Sequence, residues 1–309
     1  MTVASIDIGS NTVLLLIAEV DEYGNIHSKL NLYRAPRISK GLTGDRNISE
    51  KKISELKSVL SEYSTVIKDY HCQHVYLVGT NALRIANNSS EVIKKIKNDF
   101  GWDIKIISGD EEARLSFLGA TYHLKSLETK IVFDIGGGST EIIIGNDSTI
   151  TFKKSFHTGV VSLTEKFLKQ NPPANEEIFL ANDWLKKLFA EIRLDKAINY
   201  KVIAVAGTPT TLSCIKQKIK IYDEKLVDDS FLTINDVREI SLRLSKMKSE
   251  QIAAEFGQVV EGREDVLFAG TLILINIMNL LNAGKIIVSN RGLRYGVIVD
   301  RLNKNFIEE

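Results

Sequence analysis

One motif occurs twice in this chain, and that repetition limits the fold more than any other feature. Ala4-Ser-Ile-Asp-Ile-Gly-Ser-Asn11 runs into the apolar stretch Val13 to Ile17, and Lys130-Ile-Val-Phe-Asp-Ile-Gly-Gly-Gly-Ser139 runs into Thr140-Glu-Ile-Ile-Ile144. Asp7 aligns with Asp134, an offset of 134 − 7 = 127. A second pair agrees with the first: Val75 to Thr80 and Val202 to Thr208 both run a strand into Gly-Thr, at an offset of 207 − 79 = 128. Two matched motifs at nearly one spacing predict two halves of shared topology.

Each half reads as a strand–turn–strand hairpin around the Asp-Ile-Gly loop, followed by alternating helices and strands. In the first half, Leu30 to Arg34 can add a strand. A helix over Ser49–Tyr70 leads to the strand Val75–Val78, a helix near Glu91–Phe100, the strand Ile104–Ile107 and a helix over Glu111–Leu124. In the second half, helices near Leu163–Leu168 and Glu176–Arg193 precede the strand Val202–Val205. Helices over Ile234–Lys248 and Asp265–Leu281, the strand Lys285–Val288 and a helix over Leu293–Leu302 follow. The fold class is therefore α/β with mixed sheets. The 309 residues suit two domains. The polar turn Lys125–Thr129 divides them into 1–124 and 125–309, with the final helix near 300–309 packing back on the first. The two loops are expected to face one cleft.

Composition narrows the function. The net charge of +1 advertises neither a nucleic-acid nor a membrane partner. The apolar stretch Leu272–Leu281 is too short to span a bilayer. Cys72 and Cys214 stand alone, which fits a reducing, cytoplasmic setting. The five His show no zinc spacing, and no Walker A or Gly-x-Ser-x-Gly pattern is present.

The glycine loops point to phosphate. Gly136, Gly137 and Gly138 with Ser139 let backbone N–H groups approach an anion, and Gly9 with Ser10 and Asn11 is the counterpart. A plain hairpin turn uses the same residues, but a duplicated loop preceded each time by Asp favours the anion site. Asp7 and Asp134 end strands beside these loops and can hold Mg²⁺, with Glu141 as a second ligand or a solvated strand residue. Ser108 and Glu111 have capping-box spacing, which assigns Glu111 to the backbone of Ser108 and leaves Glu112 to orient or deprotonate a water. Arg84 offers a planar fork to phosphate oxygens or a surface ion pair. Gly207 and Thr208 take the matching place in the second half. Arg263, Arg294, Lys153 and His157 are secondary candidates for anion contact, with a solvated charge run the ordinary reading of Lys153 and Lys154.

Together these motifs resemble the exopolyphosphatase / guanosine pentaphosphate phosphatase family, which has the actin-like superfold of two duplicated, ribonuclease H-like domains with a cleft between them. The resemblance rests on the two Asp-Ile-Gly loops, Gly79-Thr-Asn-Ala-Leu-Arg84, Ile107-Ser-Gly-Asp-Glu-Glu-Ala-Arg-Leu115, Ala206-Gly-Thr208, Gly262-Arg-Glu-Asp-Val266 and Gly292-Leu-Arg-Tyr-Gly296, over essentially the whole chain. It implies Mg²⁺-assisted removal of terminal phosphate from polyphosphate or guanosine pentaphosphate by a cytoplasmic homodimer. Glu112 matches the catalytic base, Asp134 and Glu141 the acids tied to metal and water, and Arg84, Gly137, Gly138 and Ser139 phosphate contacts. Ser289-Asn290-Arg291 departs from the Ser-Asp-Gly often found in the family, so an acid is lost and a base gained. A low-turnover sensor that binds guanosine tetra- or pentaphosphate or polyphosphate is the alternative, and an ATP-dependent kinase a third.

Overall fold

The computed structural model describes residues 1–42, 46–124, 128–146, 149–192 and 200–308, with side chains through 303. The boundary turn expected at 125–129 lies partly outside these residues, as does Arg193. The chain forms two compact units, one of Met1–Tyr122 with Gly292–Glu309, the other of His123–Arg291.

Unit 1 opens with an antiparallel meander, β1 (Thr2–Ile8), β2 (Val13–Val20) and β3 (Ile26–Arg34). Helix α1 (Glu50–Asp69) starts at Ser49, whose side chain accepts from the N–H of Lys52. Its residues Ile53, Leu56, Leu60, Tyr63 and Ile67 recur at three to four positions and bury one face against the sheet. Then come β4 (His74–Gly79), the short α2 (Asn81–Ile85), α3 (Ser89–Phe100), β5 (Ile104–Ile106) and α4 (Gly109–Thr121). Strands β4 and β5 are parallel to β1, giving the order β3-β2-β1-β4-β5.

Unit 2 repeats this plan. It contains β6 (Lys130–Ile135), β7 (Thr140–Gly145), β8 (Ile150–Phe156), α5 (Val160–Phe167), α6 (Asn175–Phe189) and β9 (Lys201–Val205). There follow α7 (Gly207–Gln217), α8 (Glu224–Val227), β10 (Phe231–Thr233), α9 (Ile234–Leu244), α10 (Ser249–Phe256), α11 (Leu267–Leu280) and β11 (Lys285–Val288). The run β8-β7-β6-β9-β11 has the order and strand directions of β3-β2-β1-β4-β5, and β10 adds an antiparallel edge. The duplication inferred from two motifs thus extends to the whole sheet. Helix α11 is apolar on almost every side and lies in the centre of the unit 2 core.

The last helix, α12 (Leu293–Glu308), belongs to unit 1 rather than to a second domain running to 309. It lies against α4 at backbone distance. A Cβ on Gly296 would stand 1.8 Å from the Leu115 carbonyl oxygen, and one on Gly119 2.1 Å from that of Gly292. Only glycine permits this crossing. Tyr295, Ile298 and Val299 pack on Val3, Leu16 and Ala18 of the sheet.

Several elements differ from expectation, the short α2, α8 and β10 among them. Strand β8 was hidden by Lys153-Lys154, which breaks its apolar alternation. Helix α7 begins in Gly-Thr-Pro-Thr-Thr, a run of weak helix formers whose Pro209 is tolerated in the first turn. The helix expected over Ile234–Lys248 stops at Leu244, and α10 follows it.

Candidate active site

The two glycine loops share one construction. In unit 1 the Gly9 N–H donates to the Thr12 carbonyl at 2.9 Å and closes the turn. The carbonyls of Ser10 and Asn11 accept from the N–H groups of Ser39 and Arg37 at 3.1 and 3.0 Å. In unit 2 the Gly136 N–H donates to the Ser139 carbonyl at 3.0 Å. The carbonyls of Gly136 and Gly137 accept from Val160 and Val161, the first residues of α5, at 2.9 and 2.8 Å. Gly159 allows this approach, because a Cβ there would lie 2.4 Å from the Gly136 oxygen. Each loop therefore commits its carbonyl edge to a backing segment. The N–H groups of Gly137, Gly138 and Ser139 have no backbone acceptor among the described residues. Such an edge of convergent donors suits phosphate.

The strands beneath the loops differ. In unit 2, Asp134 on β6 stands directly opposite Glu141 on β7, and Glu141 opposite Ser155 on β8. Directly opposed residues share a face of the sheet. Glu141 is fully buried, which excludes a solvated strand residue, and the Ser155 hydroxyl donates to its Oε1 at 2.6 Å. Ser155 is a candidate that sequence reading missed, since only the register of β8 brings it to Glu141. In unit 1 the corresponding row is Asp7, Leu14 and Tyr33, with no second carboxylate.

Two carboxylates in one row repel unless a cation or a proton intervenes. The described residues contain no cluster of three or more His, Cys, Asp or Glu that would cage a metal. An Asp–Glu pair instead fits Mg²⁺, which takes one or two carboxylates and completes its shell with water and phosphate oxygens.

Arg84 and Glu112 meet in unit 1. Arg84 lies in the last turn of α2, and its Nη1 donates to the Ile107 carbonyl at 2.8 Å and to Glu112 Oε2 at 3.1 Å. Its Nη2 is shielded and has no hydrogen-bond partner among the described residues. Glu112 is buried in the first turn of α4. Ser108 caps that helix by accepting from the Glu111 N–H at 3.2 Å, but the other half of the expected capping box does not form. The Glu111 carboxylate bonds Arg114 instead, at 2.8 and 3.0 Å, and Arg114 reaches Asp300 of α12 at 2.6 Å. Hydrogen bonds from Arg114 hold the Glu111 carboxyl below its usual range, against the opposing effect of burial.

Gly207 opens α7, after Ala206 at φ 74°, a left-handed conformation uncommon for alanine. Arg263 braces this turn: its Nη1 donates to the Gly207 carbonyl at 2.8 Å and to Thr211 Oγ1 at 3.0 Å. Thr208 is buried against Gly270 of α11.

Arg294 is likewise engaged inside the fold. It donates to the Leu15 carbonyl at 3.0 Å and to Asn31 Oδ1 at 2.6 Å, tying α12 to β2 and β3. Lys153 and His157 are exposed near the end of β8, and Lys154 pairs with Glu191 at 2.6 Å. The base gained at Arg291 is neutralised within unit 2, since Arg291 Nη2 lies 2.8 Å from Asp228 Oδ2. Asp228 Oδ1 also accepts from the Ser289 hydroxyl and the Asn290 N–H, both at 3.1 Å. Burial pushes the Asp228 carboxyl up, and Arg291 and these bonds oppose the rise.

Comparison with known proteins agrees with this geometry. The model of the Ppx/GppA phosphatase family matches residues 16–305. A bifunctional 3-dehydroquinate synthase/phosphatase of Fusobacterium nucleatum is 33% identical over 96% of this chain, which spans 46% of that longer protein. Exopolyphosphatase 2 of Mycobacterium tuberculosis is 30% identical over 88% of each chain. The crystal structure of the Aquifex aeolicus member of the Ppx/GppA family superposes with a TM-score of 0.84 at 31% identity, covering 99% of this chain and 98% of that one. The chain belongs to the Ppx/GppA phosphatase family, and its chemistry is that of a phosphoanhydride hydrolase.

Proposed function

We propose that this protein releases terminal orthophosphate from inorganic polyphosphate, guanosine pentaphosphate or both, by in-line attack of water. The row Asp134–Glu141–Ser155 beside the Gly136–Ser139 loop is the observation that carries this. It sets a carboxylate pair, one of them fully buried, next to a rim of N–H donors, as phosphoryl transfer needs. The exopolyphosphatase among the relatives supports polyphosphate as a substrate.

Asp134 and Glu141 would hold Mg²⁺, and Asp7 is the matching candidate ligand of unit 1. When bound, the ion supplies positive charge to the phosphate oxygens. The N–H groups of Gly137, Gly138 and Ser139 bind the equatorial oxygens of the phosphoryl group. Arg84 keeps its second guanidinium nitrogen for a phosphate oxygen while its first keeps Glu112 oriented. Glu112 positions the water and takes its proton. The water oxygen forms the new P–O bond as the bond to the bridging oxygen breaks, and the shortened chain leaves with its charge. Ser10, Asn11, Gly207 and Thr208 line the phosphate path.

The sensor reading draws weight from the altered Asn290-Arg291, of which Arg291 pairs with Asp228. No helix among the described residues is long and apolar enough to cross a membrane. A cytoplasmic homodimer follows from the family resemblance, and sedimentation of the purified chain tests the dimer. Orthophosphate release from long polyphosphate, short polyphosphate and guanosine pentaphosphate with Mg²⁺ tests the activity. Release from at least one is expected, and tight binding without release would establish the sensor instead.

A further inference from the structure

We propose that the Asn290 carboxamide is a substrate-binding group of unit 2, and that it selects a substrate with a nucleobase behind its phosphates over a chain of phosphates alone. This rests on the assignment of the Gly136–Ser139 loop to the phosphoryl group.

Strand order places Asn290 on the same edge as that loop. Asp134 pairs with Val205 and Ala204 with Val288, and the Ser289 N–H donates to the Ala204 carbonyl at 2.9 Å. The carboxyl ends of the parallel strands β6, β9 and β11 therefore carry, in order, the glycine loop, the start of α7 and Asn290. Open α/β sheets bind ligands outside these ends. With neighbouring strands about 4.8 Å apart, Asn290 stands about 10 Å along the edge from the strand of Asp134. That distance is longer than one phosphate and suits the part of a substrate behind the phosphate chain.

The backbone around Asn290 is fixed, but its side chain is left over. Asp228 accepts from the Asn290 N–H and the Ser289 hydroxyl and pairs with Arg291, and the Arg291 N–H donates to Ser289 Oγ at 3.1 Å. Asn290 Oδ1 and Nδ2 are both shielded from solvent, and neither has a hydrogen-bond partner among the described residues. A shielded polar group without a partner is costly to keep, and here both ends of one amide share that state.

The chemistry of the amide indicates what completes it. A carboxamide sets a donor beside an acceptor. Ionised phosphate oxygens only accept, so they would satisfy Nδ2 and set negative charge against Oδ1. A nucleobase edge carries a donor and an acceptor side by side and can answer both, as bidentate Asn contacts to bases do. The first two stations on this edge suit anions, and the third suits a neutral base.

The test is equilibrium binding of guanosine pentaphosphate and of inorganic tripolyphosphate, with Mg²⁺, to three proteins that all carry Glu112→Gln so that neither ligand is turned over: the otherwise wild type, Asn290→Ala and Asn290→Leu. Both variants remove shielded polar atoms, so each should melt at or above the wild-type midpoint. Affinity for the nucleotide should fall about tenfold or more in both, the effect of one bidentate pair. Tripolyphosphate affinity should stay within about twofold. Equal loss on both ligands, no change on either, or a wild type that does not bind the nucleotide would overturn the proposal. Binding is read without turnover, so absent phosphate release would defeat the hydrolase reading and leave this one standing.

Discussion

Asp134 and Glu141 face each other on adjacent antiparallel strands, one part-exposed and the other fully buried, with Ser155 hydrogen-bonded to Glu141 from the strand beyond. Like charges in direct cross-strand register destabilise a sheet. The proposed metal site therefore predicts that the metal-free protein is less stable than it could be and that a divalent cation would relieve it. Unit 1 has the same turn over Asp7, Leu14 and Tyr33 and so lacks this demand.

Asp134→Asn should raise the thermal midpoint in EDTA, because one of two opposed charges is gone. The gain corresponds to about 0.5 kcal/mol. The wild type should gain stability on Mg²⁺ addition and the variant should not. Calorimetric melts with and without Mg²⁺ check this, and an unchanged Mg²⁺ response in the variant would remove Asp134 from the metal site.

Arg84→Ala strips Glu112 of its guanidinium partner in a mostly buried setting. Loss of one member of such a pair costs about 3 kcal/mol, read by urea unfolding. Arg84→Lys keeps the charge but loses the fork that reaches both the Ile107 carbonyl and Glu112. It should recover part of the stability and little of the turnover.

Gly296→Ala should be among the most destabilising single substitutions in the chain. Its new methyl would meet the Leu115 carbonyl at 1.8 Å, and two helix backbones would have to separate. A cost of about 3 kcal/mol or more is expected, measured by the denaturant midpoint. A neutral result would mean that α4 and α12 do not cross at backbone contact.

The sequence carried the duplication and both loops, because each is a local motif, but not the bond of Arg84 to Glu112, which joins two separate motifs. It did not carry Ser155, whose role depends on the register of a strand masked by two lysines. It also did not reveal how Arg294 and Arg291 are engaged. A guanidinium next to a glycine turn reads as an anion site, yet one ties α12 to the sheet and the other neutralises Asp228. Whether a cation is already engaged is set by residues distant in sequence: Leu15 and Asn31 for Arg294, Asp228 for Arg291.

Acid should loosen the contact between α4 and α12. Arg114 lowers the Glu111 carboxyl below its ordinary value of 4.5, so the folded state favours the ionised form. That contribution is complete above the unfolded-state value and is lost as pH falls below 4.5 through the depressed folded-state value. The thermal midpoint of the wild type should drop over that window, and Glu111→Gln should flatten the drop.

Orthophosphate release from polyphosphate, measured under saturating Mg²⁺ for the wild type and Glu112→Gln, tests the central claim most directly. The wild type should turn over, and the variant should lose about a hundredfold or more in kcat with KM little changed, as removal of a general base predicts. A wild type that releases no phosphate from polyphosphate or guanosine pentaphosphate, or a variant that keeps most of its kcat, would contradict the account.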